Sequence, residues 1–380
     1  MADTYKLIAP TVFGIEGIAA DEFRRMGFKD VFVQDGRVNL LGNDEMLARA
    51  NICSRFAERI LINVGQFSAE TFTELFDGVK GLPWERYISK DNAFPVTGTS
   101  VNSALFSISD CQSIIKKAIA DRLSEKYGIT WLPETGAECK VKFNILKNIA
   151  TLTIDTSGDG LHKRGYRRNA NDAPLKETIA AAMCDLAHIY PDTHIYDPFC
   201  GSGTRLIEAA LLATKRAPGL NRYFAAERFD FLDKSVWGKE RTRAQDNIIH
   251  NIDFRAQGVD IDKNCIDLTL QNAKKAGVEK YVKAAVGDIK DFTTPDERLI
   301  VVTNPPYGER LLGLNEAENL YKTMGERFTM APGKKYFVIS PHDEFEKIFG
   351  KTADKRRKIY NGMIKCSVFM YFKNGKVQDK

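Results

Sequence analysis

The chain has no Cys-x-x-Cys pair, no glycine- or proline-rich tract, no long apolar run and no strong excess of charge of either sign. Its seven cysteines, Cys53, Cys111, Cys139, Cys184, Cys200, Cys265 and Cys366, are scattered and odd in number. A disulfide framework and a zinc site are therefore not expected, and a reducing, cytoplasmic setting fits. His162, His188, His194, His250 and His342 never fall at ligand spacing, so no metal is expected. No run of ~18 apolar residues is available to cross a bilayer. The opening MADTYK has no basic stretch leading into an apolar core, so no signal peptide is expected. With Gly 28 and Pro 13 in 380 residues, collagen-like and low-complexity readings fail. Lys+Arg 55 against Asp+Glu 50 gives a net charge of +5, which permits a nucleic-acid partner without demanding one. What is present is ordinary globular usage, 43% hydrophobic and 28% charged, in a length that suits two or three domains.

Near the start, Ile15, Ile18, Ala19 and Phe23 recur at helical spacing, and Gly27 stands where a C-cap would. Short strands are expected at 6–9, 31–33 and 37–40, with a turn at Asp35-Gly36 and a second helix over 43–50. A second α+β unit covers about 60–160. Phe72, Leu75 and Phe76 suggest one helix, and 110–126 another, capped by Ser109 or Asp110. A hairpin over 141–154 turns at Lys147-Asn148. Four basic residues and an aromatic then fall within Leu161–Arg168, and a domain boundary is placed near 165.

From 175 the pattern changes to alternation. Helices are expected at 175–188, 203–213, 263–276 and 316–330. Strands are expected at 193–198, 256–261, 281–286, 298–303 and 334–340. This order predicts an α/β fold with a parallel sheet covered on both faces. A C-terminal antiparallel hairpin follows, with strands at 358–360 and 364–372 around Asn361-Gly362.

Four loops carry chemistry. Asp197-Pro198-Phe199-Cys200-Gly201-Ser202-Gly203-Thr204 lies between an apolar strand and an amphipathic helix. Glycines let a ligand approach the backbone, and the helix start offers free N–H groups. Leu206 fills the third glycine position of a dinucleotide fingerprint, and no Gly-Lys-Ser/Thr follows. The loop is either a tight structural turn or a cradle for another ligand. An acidic strand end suits one carrying cations, such as the ammonium and sulfonium of S-adenosylmethionine. Asp260 could accept hydrogen bonds from a ribose diol, or simply serve a helix start; Ile261 could cover an adenine, and Asp262 caps the next helix. Asp288 is an adenine contact or a turn residue. Asn304-Pro305-Pro306-Tyr307-Gly308 presents an amide and a ring on a rigid loop after a buried strand. In an open α/β sheet all four would meet in one crevice at the carboxyl ends of the strands.

DPFCGSGT with NPPYG resembles the class I S-adenosylmethionine-dependent methyltransferases that act on exocyclic base nitrogens. LHKRGYR followed by APLKE, and NPPYGERL, are similar to the bacterial 23S rRNA guanine-N2 methyltransferase group. The resemblance implies a ferredoxin-like unit at 1–60, a THUMP-like RNA-binding domain at 61–164, and a Rossmann-like methyltransferase domain at 165–380. It implies that Asp197, Phe199, Gly201 and Gly203 line the cofactor site, with Asp260 on the ribose, Ile261 and Asp288 on the adenine, and Lys176 and Glu177 near the methionine end. Asn304, Pro305, Pro306 and Tyr307 would hold the target base. RNA, with large-subunit rRNA foremost, would be the partner. Lys163, Arg164, Arg167 and Arg168 would contact it, as could 355–358, although charge runs are also ordinary solvated surface. Transfer of methyl to tRNA guanine-N2, or to adenine-N6 in RNA or DNA, is the alternative that the same loop allows.

Overall fold

The computed structural model describes residues 4–167, 175–294, 298–307 and 313–373. The strands are β1 (Tyr5–Pro10), β2 (Val31–Gln34), β3 (Arg37–Gly42), β4 (Leu61–Ser68), β5 (Val96–Val101), β6 (Val141–Leu146), β7 (Ile149–Asp155), β8 (His194–Asp197), β9 (Arg255–Asp260), β10 (Val282–Val286), β11 (Leu299–Thr303), β12 (Lys334–Ser340), β13 (Lys355–Asn361) and β14 (Ile364–Tyr371). The helices are α1 (Glu16–Arg25), α2 (Asp44–Cys53), α3 (Phe72–Lys80), α4 (Ile108–Tyr127), α5 (Glu177–Leu186), α6 (Thr204–Ala213), α7 (Ser235–Asp246), α8 (Lys263–Ala276), α9 (Leu314–Arg327) and α10 (Phe345–Phe349).

Two compact units are interleaved in sequence, so no single cut separates them. One is Met1–Thr11, Ala20–Leu161 and Arg222–Arg243; the other is Val12–Ala19, His162–Asn221 and Ala244–Lys380. The first unit is built on one seven-stranded sheet, β2-β3-β1-β4-β7-β6-β5. The two α+β segments read from the sequence share it, because β4 pairs with β1 on one edge and β7 on the other. Neither β4 nor β5 was legible beforehand; β4 (LINVGQFS) breaks its alternation at Gly65, where the register with β7 shifts. The expected cap of α4 also moves. The helix starts at Ile108 after Ser107, and no side chain caps it.

The second unit holds the sheet β10-β9-β8-β11-β12-β14-β13. The first five strands run parallel, and β14 is antiparallel to both β12 and β13. That is the α/β arrangement expected, with an antiparallel hairpin at its C-terminal edge. The hairpin's loop is displaced by one residue from the expected Asn-Gly. Asn361 pairs with Ile364, leaving Gly362 (φ 65°) and Met363 as the loop. Gly362 thus supplies the positive φ at the first loop position. Phe328, Tyr336, Phe345, Phe349 and Phe369 form a buried aromatic core beside β12 and β14. Each such ring contributes ~1.5–3 kcal/mol by burial, which makes this edge a firm support for β11 and its loop.

Candidate active site

The four predicted loops follow the carboxyl ends of four adjacent strands, β10, β9, β8 and β11. The chain winds outward from β8 to β10 and then crosses to β11 on the other side of β8. The strand order therefore reverses between β8 and β11, the place where open α/β sheets bind ligands.

The glycine loop is held from below by its neighbours. The Cys200 N–H donates to the Val259 carbonyl (3.0 Å), and the Gly201 N–H donates to Asp260 Oδ2 (2.9 Å). Thr269 Oγ1 donates to the Gly201 carbonyl (2.8 Å), and Asn272 Nδ2 to that of Ser202 (3.0 Å). Gly201 has φ 54°, and a Cβ built on it would meet no atom within 4 Å, so open space lies above the loop. The reason Leu206 can stand where a dinucleotide fold has its third glycine is now visible. The glycine needed for close helix–strand packing sits on the strand instead: a Cβ on Gly258 would lie 2.5 Å from Leu206 Cδ1. Burial pushes the Cys200 thiol up to about 12, so it packs beneath the loop as a neutral thiol.

Asp197 differs from expectation. It is 0% exposed, with Oδ2 accepting from Arg205 Nε (2.6 Å) and Oδ1 accepting from Thr303 Oγ1 (2.8 Å) and the Phe199 N–H (3.2 Å). Its charge is met by Arg205, whose other arm donates to the Phe199 carbonyl (2.5 Å). Burial raises the Asp197 carboxyl against the pull of Arg205. Its carboxylate thus ties β8, β11 and the glycine loop together instead of facing a ligand's cation. Phe199 is half-buried against the aromatic core.

Asp260 ends β9 with both oxygens reaching backbone, Oδ2 on Gly201 and Oδ1 on the Asp262 N–H (3.0 Å). A carboxylate offers about four lone-pair sites, so acceptor capacity remains for a diol. Ile261 beside it is 75% exposed, and Asp262 caps α8 through the Asn264 N–H (2.8 Å). Asp288 is half-exposed and starts a short 3-10 turn, accepting from the Lys290 N–H (3.0 Å). The neighbouring Gly287 N–H donates to the Asp260 carbonyl (3.1 Å), which draws the second and third loops together.

Asn304, Pro305, Pro306 and Tyr307 leave β11 next to this cradle. The side-chain oxygen of Asn304 is buried and has no hydrogen-bond partner among the described residues. Tyr307 Oη accepts from Asn361 Nδ2 (3.3 Å), and Tyr321 Oη donates to the Pro306 carbonyl (3.5 Å).

The basic run 163–168 is the main correction. The Arg164 side chain is 2% exposed and paired with Glu208 (3.4 Å), which also accepts from Tyr166 Oη (3.0 Å). Arg167 donates to Thr204 Oγ1 (3.1 Å), the Leu175 carbonyl (3.1 Å) and Glu177 (3.2 Å). These two arginines therefore brace α5 and α6 from inside and offer nothing to RNA. Glu177 is accordingly buried, its carboxyl raised by burial and held back by Arg167. Lys176 stands half-buried just ahead of α5. Lys163 is exposed, and Arg168 lies outside the described residues. Sequence reasoning missed Arg205, Glu208 and Thr303. The signal was there for two of them: Arg205 and Glu208 are the charged residues of the otherwise apolar helix TRLIEAALLA. A charge in such a face demands a partner.

Among the described residues no group of three or more His, Cys, Asp or Glu side chains is placed to hold a metal ion, and no helix is long and apolar enough to cross a membrane. The open space over Gly201, the spare acceptor capacity of Asp260 and the bare Ile261 fit an adenosyl ligand. A family model described as RMKL-like, methyltransferase domain, matches residues 164–369. The chain belongs to this RMKL-like methyltransferase family. Models of an RlmL ferredoxin-like domain and a THUMP domain match 6–61 and 69–155. The Rossmann-like methyltransferase sheet is thus preceded by the two α+β domain types expected, and the cofactor of this fold is S-adenosylmethionine.

Among RMKL-like relatives, YpsC of Bacillus subtilis (strain 168), provisionally named an RNA methyltransferase, is 40% identical over 99% of this chain and 98% of its own. The ribosomal RNA large subunit methyltransferase K/L of Psychromonas ingrahamii is 31% identical over 95% of this chain, which spans 49% of that protein. SMU.472, a provisionally named methyltransferase solved complexed with SAH, superposes with a TM-score of 0.93 at 39% identity, with 100% of each chain covered. A protein from Listeria monocytogenes titled a predicted N6-adenine-specific DNA methylase does so at 0.91 and 44%, covering 97% of this chain and 96% of its own.

Proposed function

We propose that the chain is an S-adenosylmethionine-dependent RNA methyltransferase that methylates the exocyclic N2 of a guanine in 23S rRNA, in the bacterial cytoplasm. The observation that carries an amine acceptor is the buried, unpartnered Asn304 oxygen at the end of β11. A buried acceptor left open costs ~1–3 kcal/mol, and its natural complement is an N–H of the substrate. The THUMP domain and the names borne by the relatives favour RNA, and the K/L relatives favour large-subunit rRNA.

S-adenosylmethionine, when bound, would supply a sulfonium methyl; the amine nitrogen takes that methyl carbon in line as the carbon–sulfur bond breaks and S-adenosylhomocysteine leaves. Gly201 would leave room for it, Asp260 would accept from its ribose, and Ile261 and Asp288 would flank its adenine. The Asn304 oxygen and the Pro305 carbonyl accept from the guanine NH2. They draw its lone pair out of conjugation and aim it. Tyr307 stacks on the base. No charged base is required, because the proton leaves after the methyl arrives. Positioning alone can supply effective molarities of ~10⁵ M or more. A paired guanine could not reach the loop, so the target must be unpaired or flipped.

Isotopically labelled S-adenosylmethionine, incubated with unmodified large-subunit rRNA, tRNA and DNA followed by nucleoside mass spectrometry, tests the reading. Label in N2-methylguanosine of rRNA alone is expected. Label in methyladenosine would instead favour the second reading, adenine-N6 transfer, which the Asn-Pro-Pro-Tyr loop and the name of the Listeria protein support. Asp260→Ala should weaken cofactor binding on the order of 10²-fold, since it removes hydrogen bonds to a charged acceptor as well as the Gly201 anchor. Unchanged affinity in calorimetry would remove Asp260 from the ribose role.

A further inference from the structure

The second basic stretch turns outward where the first turned inward. Along β13, Arg356, Lys358 and Tyr360 alternate with Arg357, the buried Ile359 and Asn361, so the first three share one face. Arg356 on that face is paired with Glu346. Lys358 and Tyr360 are exposed, and the register sets Tyr360 opposite the exposed Lys365 and Lys358 opposite Ser367. Phe13 packs edge-on against Tyr360, with centroids 5.6 Å apart, and both rings remain partly open to solvent. Gly14 brings that segment close: its φ is +97°, and a Cβ there would strike the Lys358 carbonyl at 2.1 Å. At the loop, Met363 is 97% exposed. Asn361, the last residue of β13, donates its amide to the Tyr307 hydroxyl (3.3 Å).

A surface of two lysines with two accessible aromatic rings is the composition that grips single-stranded nucleic acid, phosphates on the cations and bases on the rings. Asn361, adjacent to Tyr360 in the strand but on its other face, ties the same strand to the loop proposed to hold the target base. We propose that Lys358, Lys365, Tyr360 and Phe13 form the docking surface for the unpaired RNA strand flanking the target nucleotide. This rests on the reading of Asn304–Tyr307 as the acceptor loop, and gives that loop's substrate a defined direction of approach along the β13–β14 edge.

The full chain is titrated with a fluorescein-labelled single-stranded RNA oligonucleotide at several salt concentrations. Lys358→Gln/Lys365→Gln should make the slope of log Kobs against log salt shallower by about 1.4, the value for two phosphate contacts on a single strand. Tyr360→Ser should weaken binding on the order of 10-fold, and Tyr360→Phe should restore it, since stacking needs the ring and not the hydroxyl. S-adenosylmethionine affinity should stay unchanged in all three. Lys274→Gln/Lys275→Gln, which removes two exposed charges on α8, serves as the control and should leave the slope near that of the natural chain. Equal slopes for the two double variants, or full RNA affinity in Tyr360→Ser, would overturn the proposal. Because the oligonucleotide titration needs no turnover, it is decided separately from the identity of the methylated base.

Discussion

Asn304→Ala should reduce methyl transfer by ~10²–10³-fold while leaving S-adenosylmethionine affinity unchanged and the unfolding midpoint no lower. The size follows from losing one preorganised group at the reacting centre. The direction on stability follows from the structure. The side-chain oxygen is buried and has no partner among the described residues, so its desolvation counts as a cost in the resting protein. Removing it relieves that cost at the same time as it removes the loop's amide acceptor for a planar amine. A residue held for packing would behave the opposite way, with stability and activity falling together. Single-turnover rates with saturating cofactor, calorimetry with S-adenosylmethionine, and thermal unfolding on the same preparations separate the two. A parallel loss of cofactor affinity would take Asn304 away from the acceptor side.

Arg205→Met should destabilise the parallel-sheet unit by about 3–5 kcal/mol, the range for stripping one partner from a buried ion pair. Asp197 would keep Thr303 Oγ1 and the Phe199 N–H, but its fully buried charge would lose the guanidinium 2.6 Å away. The glycine loop would also lose the donor that holds the Phe199 carbonyl. Cofactor affinity should therefore fall too, although Arg205 itself is buried beneath the loop. Hydrogen exchange over β8 and the start of α6 is the appropriate local readout. Adding Asp197→Asn to Arg205→Met should recover most of the protection, because a neutral amide tolerates burial where a lone carboxylate does not. An equal loss in the single and double variants would show that the arginine acts by packing rather than by charge.

The two outcomes concern residues of opposite legibility. Asn304 was readable because a buried strand emptying into Asn-Pro-Pro-Tyr is unusual in itself. Arg205 was passed over because the same helix also reads as a plain amphipathic run. The strand–loop–helix order, the acidic residues at strand ends and the alternation of helices with apolar strands were all visible in the one-dimensional pattern. They depend on local geometry: period 3.6 or 2, glycine where φ must be positive, and a cap where a helix starts. That is why the helix boundaries at 263–276 and the strand at 334–340 agree with α8 and β12.

Where charges point was not visible, since it depends on what another segment brings near. Arg164 and Arg167 look like an RNA-binding run in sequence, yet Glu208 and Glu177 lie beside them only because α6 and α5 pack there. Lys358 and Tyr360 look no different, but both side chains remain exposed on one face of β13. Asp197 is sealed by Thr303, a residue over a hundred positions away, because β8 and β11 are neighbours. The sequence by itself determined the order along the chain of the strands in the methyltransferase sheet, the family and the set of loops that meet at the strand ends. Only the tertiary structure decided which charged side chains are consumed inside the protein and which remain for a ligand. Pairing a buried charge is a contact between distant segments, and no local pattern encodes it.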